Sequence, residues 1–243
     1  PGTMDRVVRP LLEEVSGKKS GRDFFLGACP ERVMPGKLLA NLQFMSRVCG
    51  GDTPEVAEVM VNFYRHIVQA DLDQADLITA ELTKTAENAY RDVNIAFANE
   101  LSLISESLHL DVWEIIRLAN RHPRVNILKP GPGVGGHCIA VDPWFIVAAA
   151  PQLSRLIRTA REINDHKPHH VAEQVIAKSQ RFRSPTIACL GLTYKANVDD
   201  VRESPAIEVV QLVASALPDV DILLADPYVP ALPKALSPYS NLK

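Results

Sequence analysis

The sequence predicts an α/β protein with a helical middle, and three observations carry that expectation. Near the carboxy end, two β-rich runs, 186–190 and 221–225, flank a helical stretch, 206–217, opened by Ser204-Pro205. Strand, helix, strand at that spacing is a βαβ unit and implies a parallel sheet with ligands at the strand carboxyl ends. Residues 75–108 contain neither proline nor glycine, and their apolar residues recur at helical spacing. Residues 1–75 alternate shorter helical and strand-like stretches broken by Gly and Pro.

In chain order, Val7, Val8, Leu11, Leu12 and Val15 share a helical face over 5–15, which stops at Ser16-Gly17. Residues 24–28 read as a short strand, and 29–37, with two prolines and a glycine, as a loop. A strand over 44–49 is expected to end at Gly50-Gly51, and Thr53-Pro54 supplies a cap and a first-turn proline for a helix over 55–67. In the long helix over 75–108, Leu77, Leu82, Ala86, Ala89, Val93, Ala96, Phe97, Leu101 and Ile104 cover most of the circumference, which predicts a buried spine. A shorter helix over 112–120 and a glycine-rich loop over 129–138 follow. Asp142-Pro143 opens another helix, and a last one over 154–179 is expected to break near Pro168.

Composition bounds the function. With 243 residues the chain needs no disulfide or metal staple, and 47% apolar with 23% charged residues is ordinary globular usage. A net charge of −3 and a pI near 6.2 argue against nucleic-acid or anionic-membrane surfaces. No apolar run approaches the 18 or so residues of a membrane span. Cys29, Cys49, Cys138 and Cys189 are scattered, which suits a reducing cytoplasm and predicts no metal site.

Few segments carry chemistry. Gly131, Gly133 and Gly136 spell G-x-G-x-x-G, but no strand precedes them, no helix opens among them and no acidic residue follows at the right distance. The loop instead delivers Cys138. A cysteine there is a nucleophile if its thiolate is stabilised and a small packed hydrophobe otherwise; the loop favours the first, while the strand-like settings of Cys29, Cys49 and Cys189 favour the second. Asp142 is either a helix cap or a carboxylate orienting a lysine or water. Lys84, Asn88 and Arg91 share one helix face, as a solvated stripe or a site. Glu31-Arg32 follows a strand, where α/β sites form. Lys195 and Arg202 flank a loop before a helix start, which makes an anion site unless Asp199 and Asp200 pair the cations.

Taken together, Glu81-Leu-Thr-Lys84-Thr-Ala-Glu-Asn88-Ala-Tyr90, Gly133-Val-Gly135-Gly136-His137-Cys138-Ile-Ala-Val-Asp142-Pro143 and Gly191-Leu-Thr-Tyr194-Lys195 with Arg202-Glu-Ser204-Pro205 resemble the UDP-glucose/GDP-mannose dehydrogenase superfamily over essentially the whole chain. The resemblance implies a partial Rossmann-like NAD domain over 1–74, a central all-helical dimerisation domain over 75–165 and a partial Rossmann-like UDP-sugar domain over 166–243. It also implies an oxidation of a UDP-sugar C6 alcohol through the aldehyde to the carboxylate, reducing two NAD⁺ and consuming one water, for cell-surface polysaccharide synthesis. The Val141-Asp142-Pro143-Trp144 sequence is similar to the branch acting on UDP-N-acetyl-D-mannosamine, and lacks the lysine typical of UDP-glucose dehydrogenases.

On that resemblance, Cys138 matches the nucleophile that passes through a thiohemiacetal and a thioester. Lys84 matches the acceptor of the C6 hydroxyl proton, and Asn88 a donor to the developing oxyanion. Asp142 would orient Lys84 or the water, and Glu31 would assist the hydrolytic water. Arg32, Val33, Lys84, Asn88, Arg91, Gly135, Tyr194, Lys195 and Arg202 fall where such enzymes hold the nucleotide sugar. His122 and Arg124 match residues reaching the neighbouring subunit's site of a homodimer. Arg202 alone is a candidate NAD contact; the glycine fingerprint and the ribose-reading acid are expected upstream of Pro1. Both ends look cut, so the isolated chain is expected to be inactive. The alternatives are another UDP-sugar dehydrogenase, such as one acting on UDP-glucose, and a non-catalytic oligomerisation fragment.

Overall fold

A computed structural model describes residues 1–33 and 37–243; part of the loop expected over 29–37 lies outside them. The chain divides into two compact units, residues 1–87 with 148–150, and residues 88–147 with 151–243. The α/β class and the helical middle are as expected.

The first unit opens with a π turn, Met4–Val8, that runs into α1 (Arg9–Ser16) and stops where Gly17 turns left-handed at φ 68°. The Glu81 carboxylate receives the amides of Gly2, Thr3 (3.2 Å) and Met4 (2.8 Å), satisfying donors that a helix start leaves without partners. The strand expected over 24–28 shrinks to β1 (Gly27–Ala28), because 20–24 fold into a turn of their own. An unforeseen helix, α2 (Leu38–Phe44), occupies the residues before β2 (Arg47–Gly51).

Gly50 and Gly51 do not end that strand; they lie inside it. A Cβ on Gly51 would sit 2.4 Å from the Ala57 nitrogen, and one on Gly50 2.7 Å from the Ala80 Cβ, so bare backbone is what lets helices close over the strand. Thr53 caps α3 (Pro54–Tyr64), its side chain receiving the Val56 amide at 3.4 Å. The helix stops short of 67 because His66 and Ile67 bond only three residues back. A second unforeseen element, β3 (Leu72–Asp76), pairs parallel to β2, which pairs antiparallel to β1. Its sequence is mostly polar because Asp73, Gln74 and Asp76 are exposed, while Leu72 and Ala75 are half-buried.

Asp76 opens α4 (Leu77–Ser107), accepting the Thr79 amide at 2.7 Å and its hydroxyl at 2.9 Å. The expected buried spine is corrected. The face buried within the chain carries alanines and the polar Asn88, Asp92, Asn99 and Ser105. The large apolar side chains lie on the other face, with Tyr90 72% and Phe97 55% exposed. Small residues allow close packing, and the bulky stripe is left uncovered by the described residues.

In the second unit, α5 (Val112–Ala119) is capped by Asp111, whose carboxylate receives the Trp113 amide at 2.9 Å. After the glycine-rich loop come α6 (Asp142–Ala149) and α7 (Arg155–Ser179). The helix α7 does not break at Pro168. Arg161 and Asn164 are anchored in a buried network one to two turns earlier, Lys167 donates to the Ser102 hydroxyl at 2.7 Å, and the proline is buried, so tertiary contacts outweigh the missing amide. Then β4 (Thr186–Leu190), α8 (Pro205–Ala216) and β5 (Asp221–Ala225) form the expected parallel crossover. Ala172, Val209, Val213, Ala214 and Ile222 make its core. Beyond Asp226 the sheet continues with residues 241–243, which bond along β5.

Candidate active site

In the first unit, Glu31 is exposed and turns its carboxylate back onto its own loop, receiving the amides of Arg32 at 2.6 Å and Val33 at 2.8 Å. Arg32 is not free for a ligand as it stands. Its guanidinium forks onto Glu87 and donates to the Ser46 carbonyl at 2.9 Å. Lys84 is half-buried on α4 with no hydrogen bond or ion pair among the described residues.

In the second unit, one turn further along α4, Asn88 is 4% exposed and donates from Nδ2 to the Asp142 carboxylate at 2.5 Å. Asp142 stands as the first residue of α6 rather than before it, and its carboxylate accepts from Asn88 on a second element. Its own amide, with that of Val141, donates to the Cys138 carbonyl at 2.8 and 3.1 Å. The resulting turn leaves the Cys138 thiol exposed. Arg91 is exposed on α4.

Cys49 and Cys189 behave as packed hydrophobes. Burial, then its neighbour Cys29, pushes the Cys49 thiol up to about 11, and burial raises that of Cys189. A thiol so raised is a poor nucleophile.

The glycines before Cys138 admit protein, not cofactor. A Cβ on Gly135 would lie 2.5 Å from the Glu203 carbonyl and 2.6 Å from the Tyr194 Cβ, and Gly136, at φ 79°, faces the Tyr194 ring. The loop after β4 thus packs into the notch the glycines leave. That loop is tied at its base by Asp226, which receives the amides of Leu192 (2.7 Å), Thr193 (3.3 Å) and Tyr228 (2.8 Å). Those bonds, led by Leu192, hold the Asp226 carboxyl below its ordinary range.

Within the loop, Lys195 is exposed, while Arg202 forks onto Asp200 at 2.7 and 2.9 Å and holds its carboxyl down at about 2. The pairing weighed against an anion site is thus present for Arg202. Beside the Cys138 loop a cleft of about 710 Å³ opens between Val134 and Val141 on one side and Ser204 and Pro205 on the other. After α5, Asn120 bonds both ways with Ile127 and closes a loop that displays His122 and Arg124 to solvent.

Residues 1–68 match the NAD binding domain of the UDP-glucose/GDP-mannose dehydrogenase family, 78–166 its central domain and 188–242 its UDP binding domain. The chain belongs to that family. It is 56% identical to an NDP-N-acetyl-D-galactosaminuronic acid dehydrogenase of Ralstonia nicotianae over 94% of this chain and 54% of the relative. It is 51% identical to the UDP-N-acetyl-D-mannosamine dehydrogenase of Escherichia coli K12 over 88% and 53%. A solved UDP-N-acetyl-mannosamine dehydrogenase from S. aureus superposes with a TM-score of 0.84 at 45% identity, over 95% of this chain and 55% of that one. The chain therefore spans about half the length of the relatives it matches.

The glycine run 131–136, which has the spelling of a dinucleotide fingerprint, is packed by Tyr194 and Glu203 and opens no helix before Asp142. Among the described residues no helix is long and apolar enough to cross a membrane, and no cluster of His, Cys, Asp and Glu could hold a metal ion. Residue spacing along the chain missed Glu87, the partner of Arg32, and the buried set Asp92, Asn99, Arg161 and Asn164. The polar residues of α4 at 88, 92 and 99 recur on one helical face, and that recurrence is the signal that would have found them.

Proposed function

We propose that the protein carrying this chain is a cytoplasmic, NAD-dependent dehydrogenase that oxidises UDP-N-acetyl-D-mannosamine at C6 to the uronate, for cell-surface polysaccharide synthesis. The observation that carries the reading is the turn from Cys138 to Asp142. It presents an exposed thiol four residues from a carboxylate that a buried amide, Asn88, holds in place. NAD supplies the electron acceptor when bound.

In this reading Lys84 takes the C6 hydroxyl proton and Asn88 donates to the oxygen as charge develops on it. The Cys138 sulfur adds to the aldehyde carbon; after the second two-electron oxidation it holds a thioester. Water, oriented by Asp142 with Glu31, adds to that carbonyl and releases the carboxylate and the thiol. Arg32, Val33, Arg91, Gly135, Tyr194, Lys195 and Arg202 hold the nucleotide sugar. For Arg32 and Arg202 this requires that Glu87 and Asp200 share or surrender them. Arg202 also serves as a cofactor contact.

The domains are drawn at 1–74, 75–165 and 166–243. The uncovered face of α4 is the core of a homodimer in which His122 and Arg124 reach the neighbouring site; Tyr90 and Phe97 on that face support this.

A second reading, an N-acetylgalactosamine-type nucleotide sugar, is favoured by the 56% identity to the Ralstonia relative. Incubating the protein with NAD⁺ and either UDP-N-acetylmannosamine or UDP-N-acetylgalactosamine tests both. NADH appearing with the first at two per uronate is expected. NADH with the second alone selects the second reading, and oxidation of UDP-glucose alone overturns both.

A further inference from the structure

The loop that carries Cys138 is pinned at both ends to one face of α4. At its far end Asp142 accepts from Asn88. At its near end the Gly131 amide donates to the Asn99 side-chain oxygen at 2.9 Å. Asn88 and Asn99 stand eleven residues apart, three turns of helix, so they share a face about 16 Å apart along the axis. Behind Asn99 lies a buried relay. The Asn99 amide donates to Asn164 at 2.8 Å, and Asn164 donates to the Asp92 carboxylate at 2.8 Å and to its backbone carbonyl at 3.1 Å. Arg161 donates to the same carboxylate at 2.6 Å. Asp92 and Asn99 are 0% exposed and Asn164 is 1% exposed, so water cannot substitute for a misdirected bond.

The relay has a direction. A carboxylate only accepts, so Asp92 obliges Asn164 to point its NH₂ inward and its oxygen outward. That oxygen in turn obliges Asn99 to present its own oxygen to the Gly131 amide. We infer that Asn99 is a positioning residue for the nucleophile: Asp92 and Asn164 set the sense of its side chain, and Asn99 fixes where the Cys138 loop begins. The inference rests on the reading of Cys138 as the nucleophile, and it gives the central helix a part in aligning the thiol through the two ends of its loop.

Position 131 allows a clean test, because a Cβ there meets nothing within 4 Å. Gly131→Ala keeps the amide donor and Gly131→Pro removes it. The readouts are the pH profile of Cys138 alkylation by iodoacetamide, followed on its peptide by mass spectrometry, and kcat and KM with NAD⁺ and UDP-N-acetylmannosamine. Gly131→Ala should match the parent. Gly131→Pro should alter the alkylation profile and lower kcat roughly 10- to 100-fold with KM little changed, as displacing a reacting group does. A folded Gly131→Pro protein that matches Gly131→Ala in both readouts overturns the inference.

Should Gly131→Pro not fold, Asn99 itself decides. Asn99→Leu keeps a side chain of similar size and removes the oxygen that receives the Gly131 amide, so it should impair both readouts. A folded Asn99→Leu protein that matches the parent in both overturns the inference. An altered Cys138 profile in a protein that oxidises no sugar nucleotide leaves the positioning intact and refutes the functional reading instead.

Discussion

Replacing Arg161 with Met isolates the worth of the ion pair at the heart of the second unit. Arg161 is 1% exposed and Asp92 0%, and the two are bonded at 2.6 Å. The second partner of Arg161, Asp165, has a side chain 52% exposed, and such a half-exposed pair contributes no more than about 1 kcal/mol. Nearly all the effect therefore comes from leaving the Asp92 carboxylate buried without its counter-ion, and breaking a buried pair on one side costs about 3–5 kcal/mol. Asn164 still donates to Asp92, which favours the lower end, about 3 kcal/mol.

The loss has a pH signature. Burial already holds the Asp92 carboxyl above its ordinary range despite Arg161, and removing the cation raises it further. A carboxyl raised in the folded state contributes stability that is present below its unfolded value, near 3.9, and lost as pH rises through the folded one. The deficit of the variant is therefore smaller at pH 5 than at pH 8. Trp113 and Trp144, the chain's two tryptophans, both lie in this unit, so urea unfolding followed by tryptophan fluorescence at the two pH values reports on it directly. A loss below about 1 kcal/mol, or one equal at both pH values, refutes the reasoning. Adding Asp92→Asn to the variant removes the orphaned charge and should recover more than half of the loss.

Four further outcomes follow from the same geometry. Gly135→Ala drives a Cβ against the Glu203 carbonyl and should lower stability by about 1–3 kcal/mol, visible as a fall in Tm; an unchanged Tm would show that the loop after β4 does not pack as described. Asp226→Asn should speed hydrogen exchange at the Leu192 amide at pH 7. Because the Asp226 carboxyl is held low, the parent should lose that protection only as pH falls through the folded value, and equal exchange rates in parent and variant at pH 7 would argue against the tie. Phe97→Glu places a charge on the exposed face of α4 and should halve the sedimenting mass; a mass insensitive to the change would remove that face from the proposed dimer. Cys138→Ser should stop uronate formation while the protein stays folded, and undiminished uronate would take the thiol out of the reaction.

Much of the fold was legible because local chemistry and packing agree. Thr53-Pro54 and Ser204-Pro205 mark real helix starts, and 186–190 and 221–225 are strands with the bounds their β-rich runs predicted. Legibility failed where tertiary contacts outweighed local preference. Gly50 and Gly51 read as a stop, yet helices press on them within a strand. Pro168 read as a break, yet buried bonds before it carry α7 through. The strand β3 is mostly polar and pairs only because β2 lies alongside it. In the site, Cys138 and Asp142 could be singled out along the chain, but the bond from Asn88 could not. It joins residues 54 apart, and no periodicity encodes it.

The two pins of the Cys138 loop have a consequence for how this chain can change. A residue inserted into α4 between Asn88 and Asn99 would rotate one anchor about 100° around the helix and lengthen the gap by about 1.5 Å, so a single-codon indel there would unhook the loop. Surface connections such as 180–185, between α7 and β4, can drift in length with little effect. The count of eleven from Asn88 to Asn99, matched by eleven from Gly131 to Asp142, works as a ruler, and variation across this stretch should proceed by substitution and leave the length alone.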